Sequence, residues 1–223
     1  MQTGKINLMN TEIVHQIKNV LKLKTGERIL LCNGTGLEAE AEILNIVKNE
    51  VEVNVLKIEK NTNEPAREVV LYCAVLKREN FELVAQKATE IGVHKIIPII
   101  TERTIKTKIN EIRLRKIMQE AAEQAGRGTV PTLGKTMSFE EALQAAKQND
   151  LNVFFDRSGE NLVVDQFAGI KIVGIFVGPE GGWTEKEITD AHQAGQKFLS
   201  LGKTTLRGET AAILAAYLAL KVV

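Results

Sequence analysis

The sequence predicts an α/β protein in which a domain of alternating strands and helices follows a small β-rich domain. Three observations predict it. Glu68 to Leu76 reads as a strand, Asn80 as the cap of a helix from Phe81 to Ile91 stopped by Gly92, and Lys95 to Ile100 as a second apolar strand. Strand, helix, strand is the order of a parallel pair. Ile172 to Val177 is apolar throughout, as in a strand buried on both faces, and a helix, a short strand from Lys197 to Leu201 and a last helix from Glu209 to Leu220 follow it. Before residue 66 the pattern is different: Leu37 to Val47 alternates small or apolar residues with Glu38, Glu40 and Glu42, and Val51, Val53 and Val55 share one face. Alternation with a period of two marks half-buried β structure.

The first domain, residues 1–66, opens with a predicted helix from Thr11 to Lys24, its apolar face Ile13, Val14, Ile17, Val20 and Leu21. His15, Lys18 and Lys22 fall on the other side, a positive stripe whose alternative reading is a solvated face. Arg28 to Cys32 is a strand and Asn33-Gly34-Thr35-Gly36 a turn. Asn61 to Pro65 reads as the linker to the second domain, residues 67–223. There, Glu111 to Ala125 is a helix burying Leu114, Ile117, Met118, Ala121 and Ala125. Ser138 to Glu141 is a capping box, and Leu151 to Phe155 is a strand ending in a loop, Asp156-Arg157-Ser158-Gly159, that faces a crevice.

Composition narrows the function classes. The 223 residues carry 29 basic and 28 acidic side chains, so net charge does not advertise a nucleic-acid binder. The charge is segregated, however. Bases outnumber acids in Gly4 to Arg28 and in Ile100 to Lys135, and acids outnumber bases in Leu37 to Glu68. Two segments could meet phosphate. Cys32 and Cys73 match no metal or redox spacing and read as small hydrophobes, and the three histidines are scattered, so no metal is expected. No charged-then-apolar leader opens the chain, and the longest apolar stretch falls short of a membrane span. The expectation is a cytoplasmic protein without a membrane partner.

The chemistry concentrates in the last fifty residues. The strand ending at Val177 breaks into Gly178-Pro179-Glu180-Gly181-Gly182, Thr184 and Glu187 form a capping box, and Gly202 to Gly208 is a second loop. Both loops lie at strand carboxyl ends, where α/β folds hold ligands. The G-x-G-x-x-G order of a dinucleotide site is absent. Pro179 has no N–H for a phosphate oxygen and Glu180 adds a negative charge, so a ligand with cationic groups and a nucleoside, such as S-adenosylmethionine, suits the loop better. The final helix is apolar almost all round and is expected to be enclosed.

These residues carry a resemblance. Gly178-Pro179-Glu180-Gly181-Gly182, Leu199-Ser200-Leu201-Gly202 and Leu206-Arg207-Gly208-Glu209-Thr210-Ala211 resemble the C-terminal signature of the RsmE family. Upstream, Gln86 to Gly92, Thr101-Glu102-Arg103 and Glu120 to Arg127 match the same family in the same order. Two departures stand out: the family has Thr or another polar residue at the place of Gly208, and it begins with an Arg-Phe-rich strand that MQTGKINLMN lacks. The resemblance implies a SPOUT-class methyltransferase domain with a C-terminal trefoil knot behind a PUA-like β-barrel that binds RNA. It implies a homodimer, S-adenosylmethionine as cofactor, and N3 of a specific uridine of 16S ribosomal RNA, in the small ribosomal subunit, as the acceptor.

On that resemblance Phe155, Val177, Gly178, Pro179, Glu180, Gly181, Gly182, Leu201, Gly202, Leu206 and Thr210 are the expected cofactor residues. Lys18, Lys22, Lys87, Arg103, Gln124 and Arg127 are the expected RNA contacts. Arg207 is the candidate cation for the N3 anion, and Glu209 the candidate base or orienting group. Their structural alternatives are a salt bridge from Arg207 to Glu209 or Glu180, and for Glu209 a helix-dipole preference. Trp183, the only tryptophan, either stacks on the target base or staples a helix start. Two other classes stay open: an RNA-binding assembly factor of the same fold that has lost transfer, and a nucleotide-dependent enzyme with an ordinary doubly wound sheet.

Overall fold

The computed structural model describes residues 2–105, 107–161 and 164–221. The chain divides into two compact units, one of residues up to Glu64 together with Arg127–Thr129, the other of Pro65–Gly126 and the residues from Val130 onward.

In the first unit, strands β1 (Gly4–Leu8), β2 (Arg28–Cys32), β3 (Leu37–Val47) and β4 (Glu50–Lys60) form an antiparallel sheet in the order β1-β4-β3-β2. Alternation along β3 and β4 puts Ala39, Ala41, Ile43, Val51, Val53 and Val55 into one core. Strand β1 lies in the segment without the Arg-Phe-rich pattern: Ile6 and Leu8 turn partly inward while Lys5 and Asn7 face out. Five residues of alternation were too short a signal to read. The expected helix is shorter than its apolar pattern. Helix α1 (Thr11–His15), capped by the Asn10 side chain, runs into a π-helical turn, Gln16–Val20, and Lys22 leaves the helix at φ 53°. The wider turn rotates the face, so Val14 and Ile17 are buried while Val20 and Leu21 are 63% and 55% exposed.

Asn61, in the predicted linker, is buried, and its amide donates to Glu38 Oε2 at 2.8 Å. A Cβ on Gly128 would collide with the Asn61 side chain, so only glycine lets that loop pass. Beside it the Arg127 guanidinium, buried, pairs with Glu64 at 2.7 Å, and the Thr129 N–H donates to the same carboxylate at 3.0 Å. Burial alone would raise the Glu64 carboxyl, but hydrogen bonds from Arg127 and Thr129 outweigh it and hold the group below its ordinary value of 4.5. The native state therefore binds the charged form more tightly than the unfolded chain does, and protonation is linked to unfolding. The pair's contribution is expected to be complete above about pH 4.5 and to disappear as pH falls through the lowered native value. Urea midpoints measured between pH 7 and 3 for wild type and Glu64→Gln check this: their difference should close at the acid end, and a constant difference would refute the linkage.

The second unit is a parallel sheet in the order β11-β9-β10-β5-β6-β7, with β8 also pairing to β6. Its strands are β5 (Glu68–Ala74), β6 (Lys95–Ile100), β7 (Thr132–Leu133), β8 (Met137–Ser138), β9 (Leu151–Asn161), β10 (Ile172–Val177) and β11 (Lys197–Ser200). The helices are α2 (Arg78–Ile91), α3 (Glu111–Gln124), α4 (Phe139–Ala145), α5 (Glu185–Gln193) and α6 (Gly208–Lys221). Alternate residues of β5 serve two cores: Val69, Leu71 and Cys73 join residues of α2, α3 and α6, while Val70, Tyr72 and Ala74 join residues of α4 and α5. Burial on both faces explains why β5, β6 and β10 read as unbroken apolar runs.

Both expected capping boxes form, at Ser138 with Glu141 and at Thr184 with Glu187. Asn80 does not cap α2, which begins at Arg78 behind Lys77. In α3 the buried face is Leu114, Met118, Ala121 and Ala122; Ala125, expected inside, is exposed just beyond the helix end. Asp156 to Gly159 continue as strand and fall within the register shift against β11, where Phe198 pairs with Phe154 and Leu199 with Glu160. Helix α6 is not enclosed all round: Ala212, Ala215, Ala216, Ala219 and Leu220 are buried, but Leu214 and Tyr217 are 40% and 44% exposed. Arg67 pins the helix's far end, donating to Ala219 O and Phe167 O at 2.6 Å each and to Ile170 O at 3.0 Å. No helix among the described residues is long and apolar enough to cross a membrane.

Candidate functional site

Strands β5, β9, β10 and β11 run parallel, so the segments at their carboxyl ends converge at one edge of the second unit. There they enclose a cavity of about 650 Å³, a size that suits a small-molecule ligand. Its lining draws on the Gly178–Trp183 loop, the loop that starts at Leu201, residues Phe155–Arg157 within β9 and the start of α6.

Tight packing explains the glycine loop. A Cβ on Gly178 would lie 2.9 Å from the Trp183 ring, and one on Gly181 3.3 Å from the Arg103 side chain. Trp183 is buried, donates its indole N–H to Phe155 O at 3.1 Å and packs against Phe139 and Phe154, with ring centroids 5.4 and 4.3 Å away. Its contacts are those of a core side chain, and at 6% exposure it is not open for stacking on a base. Glu180 Oε1 accepts the Lys77 N–H at 3.1 Å and so ties this loop to the end of β5. Beneath them burial pushes the Cys73 thiol far up, the Glu180 charge adding to it, which leaves that sulfur inert.

Ten of the eleven expected cofactor residues line the cavity, as do Arg207 and Glu209. Thr210 does not: it faces solvent on the outer side of α6. Arg207 is exposed, and no hydrogen bond or ion pair with a described residue holds its guanidinium, so neither expected salt bridge forms. Glu209 is the opposite case. It is 7% exposed, and its Oε2, shut off from solvent, has no hydrogen-bond partner among the described residues. Leaving such an oxygen unsatisfied costs about 1–3 kcal/mol, more when charged. With Glu209, Glu180 and Asp156 on its wall, the cavity favours a ligand that brings donors or positive charge over one that adds negative charge. S-adenosylmethionine, with its ribose hydroxyls, ammonium and charged sulfur, fits that demand. A polyphosphate does not.

The expected RNA contacts fare less well. Arg127 is buried in its ion pair with Glu64 and is not available to a substrate. Arg103 donates to Gly181 O at 2.9 Å and Trp183 O at 3.0 Å, fastening the glycine loop from outside. Lys18 donates to Val47 O and Lys48 O at 2.9 and 3.2 Å, closing the β3–β4 turn. Lys87 pairs with Glu90 at 2.7 Å. Lys22 and Gln124 are exposed. Lys87, Arg103 and Gln124 lie outside the cavity lining.

Sequence reasoning missed Lys77 and Asn80, which line the cavity where α2 starts. The signal was present in the break of the β5 apolar run at Lys77, but Asn80 was read as a cap. Arg157 also lines the cavity and donates to Thr205 Oγ1 at 3.0 Å, linking β9 to the Leu201–Gly208 loop. No group of three metal-ligating side chains occurs among the described residues.

Comparison with known proteins follows the same division. An RNA methyltransferase domain family matches residues 62–220, and an RNA methyltransferase PUA domain family matches residues 10–56. Ribosomal RNA small subunit methyltransferase E of Rickettsia conorii is 35% identical over 219 residues, covering 96% of this chain and 88% of that protein. Its Bacillus subtilis counterpart is 31% identical, over 92% and 85% of the two chains. Among solved structures, ribosomal RNA small subunit methyltransferase E from Neisseria gonorrhoeae bound to S-adenosyl methionine superimposes with a TM-score of 0.88 at 31% identity, covering 97% of this chain and 91% of that one.

Proposed function

The chain belongs to the ribosomal RNA small subunit methyltransferase E family, and on that premise we propose that it methylates N3 of one specific uridine of 16S ribosomal RNA in the small ribosomal subunit. The enzyme uses S-adenosylmethionine. The observation that carries the reading is that an exposed Arg207 and a buried Glu209, two residues apart, line the wall of one cavity, the guanidinium and Glu209 Oε2 each without a hydrogen-bond partner among the described residues.

Bound S-adenosylmethionine supplies a methyl group on a positively charged sulfur. Everything else falls to the chain. The main chain at Gly178, Gly181, Leu201, Gly202 and Leu206, all on the cavity wall, would hold the nucleoside. Arg207 meets the uracil from the solvent side. Uridine N3 keeps its proton at neutral pH, and a guanidinium beside the base oxygens stabilises the anion left when that proton departs. Holding the base in line with the methyl group contributes the larger share, about 7–11 kcal/mol for well-aligned reactants. Of the two roles open to Glu209, orienting fits better than base, since a proton acceptor must pass its proton on and this oxygen is shut off from water.

Three further elements complete the reading. Residues 1–66 act as a PUA-like RNA-binding domain, with the exposed Lys22 as one of its cations and Gln124 as a contact on residues 67–223. The end of the chain forms the trefoil knot: after β11 at the edge of the sheet it returns to the middle, where α6 packs on β5 and β10. The protein is a cytoplasmic homodimer, and the exposed apolar face of α6, Leu214 with Tyr217, is what a second copy would cover.

The test is transfer of labelled methyl to small ribosomal subunits that lack the modification, with the product nucleoside placed by mass spectrometry. The expected product is 3-methyluridine at one 16S position, made by a protein that sediments at twice 24.6 kDa. Cofactor binding without transfer to any ribosomal RNA would favour a silent assembly factor, and a monomeric active enzyme would remove the dimer.

A further inference from the structure

We infer that Arg103 is a positioning residue for the cofactor: through the carbonyls of Gly181 and Trp183 it fixes the glycine loop in the shape that binds S-adenosylmethionine, without touching the ligand. The inference rests on the methyltransferase reading above. It starts from a mismatch between place and contact. Arg103 is exposed and lies outside the cavity lining, yet its Nη1 donates to Gly181 O at 2.9 Å and Trp183 O at 3.0 Å, and both of those residues line the cavity.

The loop needs a hold from outside. Within it the Gly182 N–H donates to Pro179 O at 2.9 Å, closing a turn with Gly182 at φ 69°. A backbone this rich in glycine has more shapes to lose than any other. On the β5 side Glu180 accepts the Lys77 N–H. On the β6 side the hold is Arg103, and a closed turn presents it: the Thr104 N–H donates to Thr101 O at 3.1 Å and the Thr101 N–H to Thr104 Oγ1 at 3.0 Å. Glu187 then fixes the register. Its Oε1 accepts the Glu102 N–H at 2.9 Å and its Oε2 the Thr184 N–H at 2.8 Å, so one carboxylate ties the loop's exit to the residue beside Arg103. The arginine stem also lies over Gly181, where a Cβ would come within 3.3 Å of it.

A guanidinium nitrogen set between two carbonyls makes charge-assisted bonds to both. Without them the loop spends less of its time in the binding shape, and apparent affinity falls by that fraction. The loss falls on the binding of any ligand that uses the loop, S-adenosylmethionine and S-adenosylhomocysteine alike, and leaves the transfer step alone once the site is filled. An RNA contact predicts the reverse, a weaker hold on the acceptor and none on the cofactor.

Titration calorimetry of the full chain, hydrogen exchange of the free protein and kinetics on small ribosomal subunits test this. In Arg103→Ala both ligands are expected to bind about tenfold more weakly. The Gly182 and Thr184 amides should exchange faster with no ligand present, and KM for S-adenosylmethionine should rise while kcat at saturation stays within about threefold. Because Arg103 is exposed, the urea midpoint should stay close to wild type. Arg103→Lys, with one ammonium for two carbonyls, should recover part of the affinity. Gly181→Ala pushes on the Arg103 stem, so it should weaken binding in the wild-type background and cost little more beside Arg103→Ala. That non-additivity separates a lost hold from a general loss of stability, and additive losses would overturn the inference. So would unchanged cofactor affinity in Arg103→Ala with a raised KM for the subunits, which would make Arg103 an RNA contact. A wild type that binds neither ligand would take the methyltransferase reading down, and this inference with it.

Discussion

Arg207→Ala is expected to lower methyl transfer to small ribosomal subunits by about 10²- to 10³-fold, the usual effect of deleting one preorganised charge-stabilising group, while S-adenosylmethionine affinity stays within about twofold. The expectation follows from the setting of the side chain. Arg207 lines the cavity, is exposed, and has no partner among the described residues, so its removal orphans no buried charge and leaves α6 in place. A salt-bridged arginine would have predicted lost stability instead. Arg207→Lys should recover only part of the rate, because an ammonium offers a point charge where a guanidinium spans two oxygens. The pH dependence gives a second reading. If Arg207 stabilises the N3 anion, alkaline solution, which makes more of that anion unaided, should restore transfer in the alanine variant more than in wild type. A fall in cofactor affinity as large as the fall in rate would place Arg207 on the cofactor.

The parts of this molecule that were legible in the sequence are those whose signal is local. The two-sided apolar runs of β5, β6 and β10, the glycine stop of α2 and both capping boxes each fit within a few residues, and all formed. The cavity wall was legible for a related reason, since a loop at a strand's carboxyl end is located once the strand is. What the sequence did not disclose was which side chains are already engaged. Arg127, Arg103, Lys18 and Lys87 are cations on polar stripes or in loops, and nothing local distinguishes them from Lys22. Their partners lie at Glu64, Gly181, Val47 and Glu90, and three of these four are far along the chain. Asn80 differs: its capping signal goes unused, because the helix already begins at Arg78, behind a Lys77 that makes no side-chain cap. Helix α6 differs again: its apolar composition was read as complete enclosure, but Leu214 and Tyr217 lie open on this chain.

Two glycines in the second unit allow the packing argument to be tested with the same small change. Gly159→Ala is expected to destabilise the protein by about 1–3 kcal/mol or more and to weaken S-adenosylmethionine binding at least about tenfold. Gly208→Ala is expected to stay within about 1 kcal/mol of wild type. At Gly159 a Cβ would stand 2.6 Å from both the N and the C atoms of Leu199 and 2.8 Å from its Cα. That is main chain in a paired strand, it cannot turn aside, and Leu199 is itself fully buried. The collision falls where β9 and β11 shift register, so relief would unpair Leu199 from Glu160 and Ser200 from Asn161. Leu201 and Gly202, which line the cavity, follow directly. At Gly208 a Cβ would meet the two Leu76 methyl groups at 2.9 and 3.3 Å, the far ends of a side chain that can change rotamer. In this chain the Leu76 methyl groups occupy the space beside Gly208 at the start of α6, so the obstacle to a larger residue there is a movable side-chain end. Urea unfolding and cofactor titration of the two variants decide the matter. Equal losses at both positions would mean that the nature of the colliding atoms, backbone or side-chain end, does not govern the cost.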